Sequence, residues 1–299
     1  MSPPSHAPRP SEQSQSCRVL RGCTRRAWVR RRNRRSFEAP CFTLTKESAL
    51  SHSDIITILA AFAIGLSKTG FGGGLGAIVS PMFVIALPPR EGIGLMLPLL
   101  IVGDMLTLTF YWRGWDRSNL VALFPGVVAG IGLGMVLLGH IPDNEFRVVI
   151  GLLAMVFGSG QALRQWLVPH AEAFTGNRFL GALAGFVTGT VSAIAHQGGL
   201  ITTLYLLPQR LTNQAFVATS GIVFTLTNLT KLPAYVFTGL VTWPIIVKAA
   251  MLSPAVIMGA LLGVRLNRQV PQKHFAWIVL FFVLVTGAKL VWDYFMSSS

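Results

Sequence analysis

The residues best equipped for chemistry stand where long apolar runs are interrupted. The first interruption reads GLSKTGFGGGLG over residues 65–76, so that Lys68 and Thr69 are followed by Gly72, Gly73 and Gly74. One fixed cation beside several backbone N–H groups without side-chain cover makes an anion cradle, because the free N–H groups at a helix start carry positive partial charge. It is not a phosphate-binding P-loop, since no GxxxxGK[ST] occurs and the lysine precedes the glycines. The plainer reading is a lysine snorkelling to the interface beside glycines that only pack. The second interruption reads SAIAHQGG over residues 192–199 and sets His196, Gln197, Gly198 and Gly199 in the corresponding place. Histidine changes charge near neutral pH unaided, although a lone histidine is as often a packing residue.

Two longer runs carry polar and ionisable groups at depth. Asp104 lies in LIVGDMLTL and Asn228 and Lys231 lie in FTLTNLTKLP. An ionisable residue in mid-membrane costs about 2.5–3.5 kcal/mol on insertion scales, so such groups face a cavity or a partner. Asn228 and Lys231 are three apart and share a helical face. Two readings stand: an Asp-to-Lys or Asp-to-Asn bond that only holds helices together, or a polar pocket. In the pocket reading Asn228 and Lys231 meet the substrate, and Asp104 or His196 couples it to protons. No hydrolytic pattern of the GxSxG or HExxH kind is present, and the six histidines never approach one another at metal-ligand spacing. No cofactor and no metal is expected, and a membrane-embedded enzyme is the weaker alternative.

The elements that must position these residues are membrane helices. Of 299 residues 52% are apolar and 12% charged, against about 25% charged in an average soluble chain. Residues 1–50 hold 11 of the 25 Lys+Arg and 3 of the 11 Asp+Glu, which leaves too few charges in the rest to clothe a water-facing surface. Apolar stretches recur at 55–67, 75–87, 92–112, 119–139 and 146–167, then at 179–194, 199–207, 214–237, 243–264 and 275–295. A crossing helix needs about 20 residues. The expectation is therefore an all-α polytopic membrane protein of about eight transmembrane helices, drawn from eight to ten hydrophobic segments, with a short Gly-interrupted helix pair in each half. Positive charge is an ambiguous guide, for eight crossings put four basic residues in inner loops against six in outer ones.

The halves read as two repeats, 54–167 and 179–295. Gly73-Gly74 recurs as Gly198-Gly199, Gly114 as Gly239, and the spacing from Gly134 to Pro142 as that from Gly263 to Pro271. Duplicated halves enclosing one site are common in transporters. The same register sets Asp104 beside Asn228. Gly126, Gly130 and Gly134, Gly181, Gly185 and Gly189, and Gly259 with Gly263 form small-residue stripes, which read as close helix packing. The segment 1–50, rich in Arg, Ser and Pro, reads as a disordered cytoplasmic tail, with a transit-peptide-like segment or an extension from an upstream start as alternatives. Its charge does not make a folded nucleic-acid face, and Cys17, Cys23 and Cys41 within it form no CxxC pair.

On these residues the chain resembles the TauE/SafE sulfite exporter family, the toluene sulfonate uptake permease group. The resemblance is carried by GLSKTGFGGGLGAIVSP at 65–81, YWRGWDRSNLVALFPG at 111–126, AIAHQGGLITTLYLLPQRL at 193–211, FVATS at 216–220, NLTKLPAYVFTGL at 228–240 and VTGAKLVWDYF at 285–295. It departs at Leu200 and Ile201, which stand where one branch of the family carries two prolines. The resemblance implies a multi-pass plasma-membrane permease for small sulfur-containing or organic anions such as sulfite or sulfonates. The partners expected are a small anionic substrate and the lipid bilayer, with a homo-oligomer left open and no nucleic acid. A single anion site at the meeting of the breaks would use Lys68, Thr69, Gly72, Gly73, Gly74, His196, Gln197, Gly198, Gly199, Asn228 and Lys231, with alternating access around it. A non-transporting membrane scaffold is the other class compatible with the residues.

Overall fold

The computed structural model of the chain describes residues 51–71, 76–112, 114–167, 177–209, 211–267 and, beyond these, 284–285, 287–290, 292 and 296. The basic segment 1–50, the glycines Gly72, Gly73 and Gly74, and most of the stretch 275–295 lie outside the described residues. Among those described, the regular structure is helical: α1 (His52–Phe71), α2 (Gly76–Ala86), α3 (Pro89–Phe110), α4 (Arg117–His140), α5 (Asp143–Leu167), α6 (Arg178–Ala195), α7 (Gly199–Leu206), α8 (Asn213–Phe237) and α9 (Trp243–Asn267).

Local chemistry explains where these helices begin. Asp116 caps α4 by accepting from the Asn119 N–H at 2.8 Å, Asn177 caps α6 through Phe179 at 3.1 Å, and Thr212 caps α8 through Ala215 at 3.2 Å. Each supplies an acceptor to a first turn that has none of its own. The start of α3 is Pro88-Pro89, a site where the missing proline N–H costs nothing. After α8 the chain turns at Gly239, whose φ of +73° is a conformation that only glycine adopts without strain.

Among the described residues, six helices are long and apolar enough to cross a membrane, over His52–Gly70, Pro89–Phe110, Arg117–His140, Arg178–Ala195, Gln214–Phe237 and Trp243–Leu266. With 11 and 8 residues, α2 and α7 are too short to cross. The sequence reads both members of each interrupted pair as short. In the structure the first member is full length, for α1 continues past Ser67 to Phe71 and α6 reaches Ala195. The reason is tertiary. Gly65 and Gly70 bring α1 against the α9 backbone at Val256, Ala260 and Gly263, and the Thr69 hydroxyl lies 3.1 Å from the Gly65 carbonyl and 2.7 Å from that of Ala260 on α9. Lys68 then sits in the last turn of a helix, where a cation also meets the negative end of the dipole.

The glycine stripes do what their spacing suggests. A Cβ at Gly126 or Gly130 would collide with the α6 carbonyls of Ala182 or Phe186, and one at Gly185 or Gly189 with the α4 carbonyls of Leu123 or Val127. Thus α4 lies along α6, and α1 lies along α9 through Gly259 and Gly263. Between these pairs α3 and α8 touch each other, and they carry the buried polar groups. Val121, Val128 and Val136 on α4 and Met251, Met258 and Leu261 on α9 face outward, an apolar exterior suited to lipid.

Candidate functional site

Four helices deliver charge or hydrogen-bonding groups to one buried point. Lys68 from α1 stands 2.5 Å from Oδ1 of Asp104 on α3, and Oδ2 of the same carboxylate accepts from Asn228 Nδ2 on α8 at 2.6 Å. Asp104 is wholly buried and Lys68 is 7% exposed. The Lys68 ammonium also lies 4.6 Å from the centre of the Phe224 ring, within cation–π range. Of the two sequence readings for Asp104, the contact to Asn228 is present, but the lysine paired with the carboxylate is Lys68 rather than Lys231.

Lys231, one turn beyond Asn228, is fully buried and reaches α6 instead. Its Nζ donates to the Ser192 carbonyl at 3.0 Å and lies 2.9 Å from the Ser192 Oγ and 2.9 Å from the His196 Nδ1. The other ring nitrogen of His196, Nε2, lies 3.1 Å from the Ile93 carbonyl on α3. A carbonyl can only accept, so Nε2 carries the hydrogen and Nδ1 presents its lone pair to Lys231. Buried lysines are costly unless paired or hydrogen-bonded, and the one buried carboxylate among the described residues, Asp104, contacts Lys68 but not Lys231.

The second interruption is built around His196. Its φ of 55° and ψ of 23° make it a left-handed terminator of α6, a conformation that costs a non-glycine residue about 1–2 kcal/mol. The ring bonds to Ile93 and Lys231 hold it there. The last carbonyls of α6, left without helical partners, are taken by side chains: Tyr235 OH donates to Ala193 at 2.7 Å and Ser80 Oγ, from α2, to Ala195 at 2.5 Å. Gln197 follows, 2% exposed, and neither polar atom of its side-chain amide has a hydrogen-bond partner among the described residues. An unpartnered buried amide of this kind costs about 1–3 kcal/mol per group, so it marks a place where a further polar group fits.

A cavity with about 460 Å³ of empty space, its open mouth included, lies against this point. One side is polar, made by Ser67, Lys68, Ser192, His196, Asn228 and the backbone of Gly198 and Gly199 at the start of α7. The other is apolar, made by Ile64, Val79, Met96, Leu100 and Phe224. Of the residues singled out by sequence, Lys68, His196, Gly198, Gly199 and Asn228 line the cavity. Asp104 and Lys231 stand behind them in the hydrogen-bond network. Thr69 fastens α1 to α9 instead, and Gly72, Gly73 and Gly74 lie outside the described residues. Sequence reasoning missed Ser192, Phe224 and Tyr235. Phe224, Asn228, Lys231 and Tyr235 follow one another at helical spacing on α8, and Ser192 precedes His196 by four residues, so both signals were available.

A helical multi-pass protein that buries paired and unpaired cations beside a cavity between interrupted helices has the architecture of a membrane transporter. Residues 57–290 match the model of the family described as Sulfite exporter TauE/SafE, and the chain belongs to that family of membrane transporters. No curated protein and no solved structure matches the chain significantly.

Proposed function

We propose that the protein carries a small sulfur-containing anion, such as sulfite or a sulfonate, across the plasma membrane by alternating access around the cavity at Lys68. The observation that carries this reading is the surplus of one buried lysine over the single carboxylate beside that cavity, with Lys68 lining it and Asp104 and Lys231 behind. An anion would balance it and would meet Lys68, the side chains of Ser192, His196 and Asn228, and the N–H groups at the start of α7. The orphaned Gln197 amide, next to Gly198, is a further donor for it. The apolar wall would face any organic substituent of the anion.

The moving parts in this reading are two repeats, α1–α5 and α6–α9 with the stretch 275–295. The pairing of α1 with α9 and of α6 with α4 supports it, since both join the first helix of one repeat to the fourth of the other. Each repeat would contribute four crossings, with α2 and α7 as the short partners.

The test is tracer flux in vesicles reconstituted with the purified protein, over sulfite, small sulfonates and small carboxylates. Saturable flux of at least one sulfur oxyanion, faster than that of size-matched carboxylates, is expected. Vesicles no more permeable than protein-free ones to every anion of the panel would overturn the proposal.

A further inference from the structure

We propose that Lys231 carries a proton with the anion: it is an amine in the empty site and becomes an ammonium each time one monoanion enters. The proposal rests on the anion site described above and assigns the coupling step within it.

Lys68 and Asp104 are in contact and cancel. Neither gains by changing its proton alone, because that would strand a buried charge opposite it. Lys231 is different. Its three contacts, the Ser192 carbonyl, the Ser192 hydroxyl and His196 Nδ1, are all neutral, and no carboxylate among the described residues is in contact with it. The charged and titratable groups around it are Lys68 from α1, Asp104 from α3, His196 after α6, and Tyr235 from its own helix, whose ring centre is 6.0 Å away. With Lys231 as an amine this set is neutral. With Lys231 as an ammonium it carries one positive charge, the complement of one monoanion.

The hydrogen-bond geometry accepts both forms without moving a heavy atom. As an ammonium, Lys231 donates all three hydrogens to its three partners. As an amine it donates to the Ser192 carbonyl and to His196 Nδ1, and its lone pair accepts from the Ser192 hydroxyl. Only the rotation of that O–H distinguishes the states, for the carbonyl is an obligate acceptor and His196 is held as an acceptor at Nδ1 by its bond to Ile93. Ser192 lines the cavity, and it joins the cavity to Lys231. A hydronium there gives its proton to Ser192 Oγ as the hydroxyl passes its own to Lys231 Nζ, leaving water and an ammonium. The coupling role thus moves from Asp104 or His196, the two candidates of the sequence, to the lysine that lacks a counter-charge.

The probe is methanesulfonate, a permanent monoanion over the working pH range, so any proton that moves with it belongs to the protein. Wild-type vesicles containing a trapped pH dye, with the membrane potential clamped at zero, receive external methanesulfonate. Uptake with acidification of the lumen at one proton per anion is expected. Uptake at unchanged lumenal pH would overturn the proposal and leave the anion site standing. Failure of methanesulfonate to enter at all would overturn the proposal, and the site reading falls with it if no other anion of the flux panel crosses either. In Lys231→Arg the side chain remains protonated, so whatever methanesulfonate still enters should do so without a dye signal. A folded Lys231→Arg protein that still acidifies the lumen would also overturn it. The wild-type dye measurement decides the matter whether or not the variant folds.

Discussion

Substituting Asp104→Asn preserves the size of the side chain and removes its charge, leaving the Lys68 ammonium 7% exposed with no carboxylate. Breaking a buried pair by deleting one partner costs about 3–5 kcal/mol. For a chain of this length that corresponds to a fall in thermal midpoint of about 5–8 °C. Lys68→Gln alone should cost a similar amount, because Asp104 then keeps only the Asn228 amide at 2.6 Å. The double variant Asp104→Asn/Lys68→Gln removes both charges together and should recover most of the loss, since a buried pair replaced as a unit is often close to neutral. Thermal unfolding of the four purified proteins in detergent, followed by tryptophan fluorescence, completes the cycle. Saturating methanesulfonate should narrow the deficit of Asp104→Asn in particular, because a bound anion supplies the missing counter-charge. Single variants that melt with wild type, or losses that simply add in the double variant, would refute the pairing as the support of this site.

Three further outcomes follow from neighbouring geometry. Gly130→Ala should destabilise by about 1–3 kcal/mol, as its Cβ meets the Phe186 carbonyl across the α4–α6 contact. Gly132→Ala, with nothing within 4 Å, should be neutral or stabilising; equal melting of the two would contradict the packing. At the α6 terminator, His196→Gly and His196→Ala lose the same ring bonds, yet the glycine variant should be the more stable by about 1 kcal/mol because the position is left-handed. Their thermal midpoints in one detergent check it. Gln197→Leu removes an unpartnered buried amide, so the anion-free protein should gain about 1–3 kcal/mol. Anion affinity, read from the concentration dependence of flux, should fall about tenfold or more if the amide donates to the anion. A folded Gln197→Leu protein of unchanged affinity would show that it does not.

Much of the fold was legible because lipid imposes simple rules. A crossing helix must be long and apolar, and four of the six spans, those of α3, α4, α8 and α9, coincide with longer runs of the sequence. Helices that approach closely must present glycine, and the stripes on α4, α6 and α9 lie at the contacts. The lengths of the interrupted pairs were less legible. Residues 65–71 contain a lysine and two glycines and look like a break, yet they continue α1 because α9 packs against them and takes the Thr69 hydroxyl.

For the site, the sequence by itself determined which residues are too costly to leave unpaired in a membrane. Lys68, Asp104, His196, Asn228 and Lys231 were all recognisable from residue type and depth. Tertiary structure decided their partners. Lys68 and Asp104 are separated by 36 residues, and Lys231 meets Ser192 across 39 and His196 across 35. Spacing along one helix tells which groups share a face. Pairing between helices depends on their relative rotation and depth, which the packing of α1 on α9 and α4 on α6 sets. That packing joins Asp104 to Lys68 and leaves Lys231 among neutral acceptors.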